Sequence, residues 1–199
     1  ALSSAASDVY KRQIYKESID ARKKGNMMFV YTVDVELKNE EKILKRKHKD
    51  VVQVKQKSYI GVKSGNIEPK GRIAVIGSGP AGLFASLLLA QNGYCPIMIE
   101  RGSDVDKRTD DVNNFWKNRI FNKKSNVQFG EGGAGTFSDG KLTTRAKDIR
   151  CRKVLEELVN HNAPDEILYS HKPHVGTDIL KNVVKNIRED IKPVSYTHL

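Results

Sequence analysis

Apolar and more polar side chains alternate along residues 28–37. A period of two residues predicts a half-buried β-strand with one face on a core. Residues 40–49 begin with two glutamates after an asparagine, which predicts an N-capped helix, and residues 51–54 (Val-Val-Gln-Val) predict another strand. This order predicts a small α/β module over residues 14–70, with a ferredoxin-like arrangement. The apolar positions on one face of the first strand are Phe29, Tyr31, Val33, Val35 and Leu37.

A second unit follows residues 64–71, whose serine, glycine, asparagine and proline are typical of a linker. Residues 72–76 (Arg-Ile-Ala-Val-Ile) form a short apolar run, as in a parallel strand that is buried on both faces. Residues 80–92 predict an apolar helix, and residues 96–100 predict a second strand. The pattern is that of one β-α-β unit of about 30 residues, at the start of a domain that we place at residues 71–193.

The two ends of the chain differ in character from the rest. Residues 1–13 and 194–199 resemble translated adapter sequence or disordered termini, so we leave both segments out of the predicted fold. Two stretches between them repeat apolar residues at helical spacing and predict amphipathic helices. Their apolar positions are Val154, Leu155, Leu158 and Val159 in the first stretch and Ile179, Val183, Ile187 and Ile191 in the second.

Composition narrows the class of protein. Of the 199 residues, 38% are hydrophobic and 30% are charged, which is typical of a polar globular protein. No apolar run approaches the length of a membrane span, so no membrane association is expected. The chain has two cysteines and no secretory leader, which favours a reducing, cytoplasmic location. The five histidines show no metal-ligand spacing, and we predict no metal site.

Positive charge is concentrated in the first part of the chain. The formal net charge is +11, and residues 1–70 carry 16 basic and 9 acidic side chains. A basic module favours contact with nucleic acid, an acidic partner or an anionic cofactor, although a solvated lysine-rich surface has the same composition. Charge alone therefore selects no function.

The strongest chemical signal is a glycine-rich turn between the predicted strand and helix of the second unit. Its G-x-G-x-x-G spacing directly follows the strand, and Glu100 ends the next strand. Gly77 permits a tight turn, Gly79 lets the backbone approach a pyrophosphate, and Gly82 lets the helix pack closely. The helix N-terminus attracts phosphate, and Glu100 accepts hydrogen bonds from ribose hydroxyls. We therefore predict an adenine-dinucleotide site. The predicted cofactor-binding residues of the turn are Gly77, Ser78, Gly79, Pro80, Ala81 and Gly82.

Two further features favour FAD over NAD. The turn's Pro-Ala-Gly with a following leucine, and the sequence Glu-Arg-Gly at residues 100–102, resemble the FAD-binding half of flavoproteins with two dinucleotide folds. A second glycine-rich loop occupies residues 130–145. Such flavoproteins pass backbone along the pyrophosphate and flavin at this point, whereas an NAD dehydrogenase does not need this loop.

Longer stretches of sequence extend the resemblance to a family. Residues 126–145 and 172–178 look like the bacterial family of uncharacterised FAD-dependent dehydrogenases, and residues 18–24 and 29–36 are similar to its N-terminal domain. The match covers residues 14–193. It implies a flavoprotein oxidoreductase with FAD as cofactor, NADH or NADPH as candidate electron donor, and a small-molecule substrate that it does not identify. Family members are longer, so we expect this chain to be an inactive fragment without the substrate domain.

The resemblance also implies further site residues. It places a loop that approaches the pyrophosphate or the isoalloxazine ring at Gly132, Gly133, Ala134, Gly135 and Thr136, and it adds Glu100 with the following Arg101. Lys141 and Arg145 are either cationic partners of the cofactor or ordinary surface ions. The expected fold is thus α/β, a small basic module followed by an incomplete Rossmann-type FAD-binding domain. The alternative is a nucleotide-dependent binding module whose basic N-terminal unit contacts nucleic acid or an acidic partner.

Overall fold

A computed structural model describes residues 9–46, 48–55, 59–61, 65–67, 69–192 and 197–198. The fold of these residues is mixed α/β. Two strands and a short helix come first, and two parallel strands joined by a helix follow, with three more helices after them. The elements are β1 Val9–Asp20, β2 Met28–Leu37, α1 Glu40–Lys45, β3 Ala74–Ile76, α2 Pro80–Gln91, β4 Ile97–Ile99, α3 Val105–Asn118, α4 Ile149–Asn160, α5 Thr177–Ile191 and β5 Thr197–His198.

The predicted strand over residues 28–37 is confirmed, but its burial is not. β2 pairs antiparallel with β1, and Ile19 lies opposite Phe29 on the same face. That face is open, since Phe29 is 63% exposed and Tyr31 is 48% exposed. The prediction of a core beneath it is wrong, because these side chains stay exposed although the Glu17 N–H of β1 donates to the Tyr169 carbonyl at 2.9 Å. β1 begins at Val9 and pairs with β2, so the prediction that residues 1–13 stay outside the fold is wrong for residues 9–13.

The predicted strand–helix–strand order of the N-terminal module is also wrong. α1 ends at Lys45, and residues 51–54 belong to no strand. Val52 is 75% exposed and Val54 is 60% exposed. The reason is pairing, because β2 finds its neighbour in the preceding strand β1 and not in the later valine run. The described part of residues 14–70 is a hairpin with a short helix and lacks the ferredoxin-like arrangement.

The predicted β-α-β unit is confirmed, with shorter strands. β3 and β4 run parallel, with Val75 opposite Met98, and α2 connects them. β5, in the segment set apart at the C-terminus, pairs parallel with β4. Met98 is fully buried, whereas Ile76 is 77% exposed. The expectation of a strand buried on both faces is therefore wrong, because β3 lies at the edge of the sheet and its positions are exposed or half-buried.

One hydrophobic core joins this sheet to α2, α4 and α5. The two amphipathic helices predicted downstream are confirmed as α4 and α5, and α5 packs against α2. None of the helices in the described ranges has the length and apolar content to cross a membrane. The buried residues of the core are Leu83, Leu87, Met98, Leu158, Ala163, Ile167, Val175, Val183, Val184, Ile187 and Ile191.

Candidate functional site

The glycine-rich turn lies between the end of β3 and the start of α2. Gly77 has a φ of +92°, a conformation that glycine adopts readily, and its N–H donates to the Ile99 carbonyl at 2.7 Å. α2 begins at Pro80, and no side chain caps its N-terminus. Proline suits this first helical position because it needs no hydrogen-bond acceptor. The turn therefore presents a helix N-terminus whose N–H groups are not capped by a side chain.

The later two glycines of the turn have different surroundings. A Cβ on Gly82 would lie 1.9 Å from the Gly77 carbonyl oxygen, whereas a Cβ on Gly79 would have no heavy atom within 4 Å. Gly82 is required by the close approach of helix and turn. Gly79 borders open space, so its backbone is accessible to a ligand.

Glu100 closes the turn from the end of β4. The Ser78 N–H and Oγ donate to Oε2 at 2.8 and 3.0 Å, and the Gly102 N–H donates to Oε1 at 2.8 Å. Partial burial acts to raise the pKa of Glu100, but these hydrogen bonds outweigh it and lower the pKa. An ionised carboxylate is thus held beside the glycine turn.

The structure brings the second glycine-rich loop into direct contact with the first. The Gly132 N–H donates to the Ser78 carbonyl at 2.8 Å. A Cβ on Gly133 would lie 3.0 Å from Pro80 Cδ and 3.3 Å from Gly79 Cα, so this glycine permits close packing of the two backbones. The two glycine-rich segments are therefore packed against each other.

Arg108 of α3, which belongs to none of the predicted site residues, organises the second loop. Its side chain is fully buried, and its nitrogens lie 2.5–3.2 Å from five backbone carbonyl oxygens, three of which share the two N–H groups of Nη1. Burial lowers the pKa of Arg108 to about 10, and the nearby charges of Glu100 and Glu131 oppose this shift. A signal was present, since Arg108 falls between Val105 and Val112 on the buried stripe of α3. The acceptors are the carbonyls of Asn126, Val127, Gly130, Glu131 and Gly133.

Glu131, which the sequence analysis also missed, ties this loop to two helices. Its side chain is fully buried, and Oε2 accepts the Val105 N–H at 2.7 Å and Arg188 Nη1 at 2.8 Å. Burial raises the pKa of Glu131, and the hydrogen bond from Val105 and the charge of Arg188 limit the rise. Glu131 thereby joins the loop to the start of α3 and to α5.

The predicted site residues at positions 134–136 and Arg101 differ in burial and in their contacts. Ala134 and Gly135 are exposed and begin a 3-10 turn that includes the buried Thr136. The Arg101 guanidinium lies 5.3 Å from the centre of the Phe129 ring.

Lys141 and Arg145 have exposed side chains. Lys141 forms an ion pair with Asp139 at 2.7 Å, as an ordinary surface cation does. Within the described ranges, no hydrogen bond or ion pair joins Lys141 or Arg145 to the glycine turn. The described residues also contain no group of three or more histidine, cysteine or acidic side chains placed to hold a metal ion.

The fold and this site define a mixed α/β protein with a glycine-rich turn at a helix N-terminus. A family described as a domain of unknown function (DUF8436) matches residues 1–36. An uncharacterized protein of Clostridium beijerinckii is 55% identical over 192 residues, which are 96% of this chain and 36% of that protein. The chain thus spans little more than a third of this relative. Neither description names an activity, so the resemblance to FAD-dependent dehydrogenases stays a prediction.

Proposed function

We propose that this chain is the FAD-binding portion of a flavoprotein oxidoreductase. The observation that carries the proposal is the contact between the two glycine-rich segments, in which the Gly132 N–H donates to the Ser78 carbonyl at 2.8 Å. A turn for a dinucleotide pyrophosphate needs only the first segment. A second backbone loop against that turn fits a larger cofactor whose flavin half extends beyond the pyrophosphate.

The residues of the turn fit the adenosine diphosphate half of FAD. The N-terminus of α2 has no side-chain cap, and Gly79 borders open space, so phosphate oxygens can approach the first-turn N–H groups. Glu100 is part-exposed and ionised, so it can accept a ribose hydroxyl besides its three protein donors. When bound, FAD supplies hydride and electron transfer at its isoalloxazine ring.

The loop from Gly132 to Thr136 is proposed to follow the cofactor towards its flavin end. We place the substrate-side chemistry in the larger part of the relative's length that this chain does not span. NADH and NADPH are the candidate electron donors in that assembly, and the cytoplasm is the proposed location. The chain on its own is then a cofactor-binding unit without turnover.

The test uses both the longer relative and the chain. We expect the Clostridium beijerinckii protein, purified from cells, to show flavin absorption bands and to release FAD on denaturation. We expect the 199-residue chain to quench the fluorescence of added flavin as it binds FAD. A colourless relative together with a chain that binds NAD but not FAD would contradict the proposal.

The alternative, a nucleotide-dependent binding module that contacts nucleic acid or an acidic partner, has less support. The register places Arg12 and Glu17 on the same face of the hairpin as the exposed Phe29 and Tyr31, so this aromatic face does not concentrate positive charge. Binding of single-stranded RNA that weakens steeply with added salt, in a chain without affinity for FAD, would favour this alternative.

A further inference from the structure

Arg108 occupies a position that is costly for a charged residue. It lies on the inner stripe of α3 between Val105 and Val112, and its side chain has no solvent exposure. Burying a guanidinium is unfavourable unless its N–H groups find acceptors. The local structure must therefore provide those acceptors.

The acceptors all come from one stretch of irregular backbone. The five carbonyls lie between Asn126 and Gly133, and Nη1 alone reaches the carbonyls of Gly130, Glu131 and Gly133. The guanidinium also lies 4.6 Å from the centre of the Phe137 ring. A planar fork with five donors can serve such a spread of acceptors, whereas a lysine ammonium donates from a single atom. Arg108 thus holds the loop at several points along its length.

The loop held by Arg108 is the one that touches the glycine turn. Gly132 donates to the Ser78 carbonyl, and Gly133 packs against Pro80 and Gly79. We propose that Arg108 is the positioning residue that holds the second glycine-rich loop against the turn and thereby sets the affinity of the protein for FAD. This inference rests on the proposed function. Arg108 acts through the loop, because its buried side chain is out of reach of a ligand.

The experiment compares Arg108→Lys with Arg150→Lys in the full 199-residue chain. Both variants retain the charge, and Arg150 is a matched control because it lies on α4 and forms an exposed ion pair with Asp148, the residue before that helix. We expect Arg108→Lys to raise the dissociation constant for FAD by about tenfold, measured by flavin fluorescence. We expect the amides of Glu131 and Gly132 to exchange hydrogen about tenfold faster while amides in the centre of α5 keep wild-type rates.

Two results in a folded Arg108→Lys chain would overturn the inference. One is an FAD dissociation constant equal to that of the Arg150→Lys control, and the other is unchanged exchange at Glu131 and Gly132. If Arg108→Lys lacks helical circular dichroism, Phe137→Leu takes its place, since the Phe137 ring packs against the Arg108 guanidinium. The Lys181 ammonium lies over the same ring, so Lys181→Met is the control for this variant. Faster loop exchange with weaker FAD binding in Phe137→Leu but not in Lys181→Met supports the inference, and values in Phe137→Leu equal to those of Lys181→Met overturn it.

The failure of the proposed function would give a different pattern. If the wild-type chain and the longer relative both fail to bind FAD, the proposed function is refuted. The proposed effect of Arg108 on FAD affinity is then refuted as well. Wild-type binding that Arg108→Lys leaves intact refutes the positioning role alone.

Discussion

Gly79 and Gly82 belong to one turn but lack a side chain for different structural reasons. A Cβ on Gly82 would overlap the Gly77 carbonyl oxygen, while a Cβ on Gly79 would meet no heavy atom within 4 Å. We predict that Gly82→Ala lowers the free energy of unfolding by about 2 kcal/mol, as overpacked sites do. Gly79→Ala should leave stability within about 0.5 kcal/mol and weaken FAD binding, because its methyl group enters the space proposed for the pyrophosphate.

Thermal unfolding and fluorescence titration with FAD measure the two effects separately. Each variant is the control for the other, since both add one methyl group to the same turn. Equal loss of stability in Gly79→Ala and Gly82→Ala would contradict the separation of their roles. Unchanged FAD affinity in a stable Gly79→Ala chain would count against the proposed pyrophosphate position.

The N-terminus of α3 contacts the second glycine-rich loop of the site. Asp104 caps it by accepting the N–H groups of Asp106 and Lys107, both at 3.0 Å, and the next residue, Val105, donates to Glu131. We predict that Asp104→Ala lowers the free energy of unfolding by about 1 kcal/mol, the usual effect of losing an N-cap. Urea denaturation measures this change.

Asp110→Ala on the same helix is the control for that prediction. Asp110 is exposed and lies in the second turn of α3, so its replacement by alanine should change stability by less than about 0.5 kcal/mol. If the two substitutions change the free energy of unfolding equally, the Asp104 cap does not stabilise α3 more than an exposed aspartate within the helix does.

The ion pair between Glu131 and Arg188 joins elements that are distant in sequence. The two side chains are 0% and 6% exposed, and their atoms lie 2.8 Å apart. We predict that Arg188→Met lowers the free energy of unfolding at pH 7 by about 3 kcal/mol, because it leaves a buried carboxylate without its cation. Urea denaturation across a range of pH measures the change.

The loss in Arg188→Met should become smaller as pH falls from 7 towards 5. Burial raises the pKa of Glu131 above its ordinary value of 4.5. The charge of Arg188 limits this rise and is absent in Arg188→Met, so the folded variant takes up a proton at a higher pH than the folded wild-type chain does. Protonation then removes the uncompensated buried charge. A loss that stays constant over this range would contradict the account.

Lys185→Met is the matched control one turn earlier on α5. Lys185 pairs with Asp106 at 2.9 Å, but the two side chains are 44% and 60% exposed. Its removal should cost less than about 1 kcal/mol, as for most surface ion pairs.

The sequence by itself determined the elements that depend on local pattern. Alternation predicted β2, helical spacing predicted α4 and α5, and the glycine-rich turn between apolar runs predicted the β-α-β unit. These elements can be predicted without knowledge of the tertiary contacts, because their sequence patterns arise from backbone geometry and from the periodicity of neighbouring side chains.

Tertiary structure alone decided which distant segments meet. It paired β2 with β1 and left the valine run at residues 51–54 unpaired. It also brought the Gly132 N–H to the Ser78 carbonyl and buried the Arg108 side chain among the carbonyls of the second loop. The physical reason is that strand partners and acceptors for a buried charge lie far apart along the chain, so their contacts depend on packing and not on local periodicity.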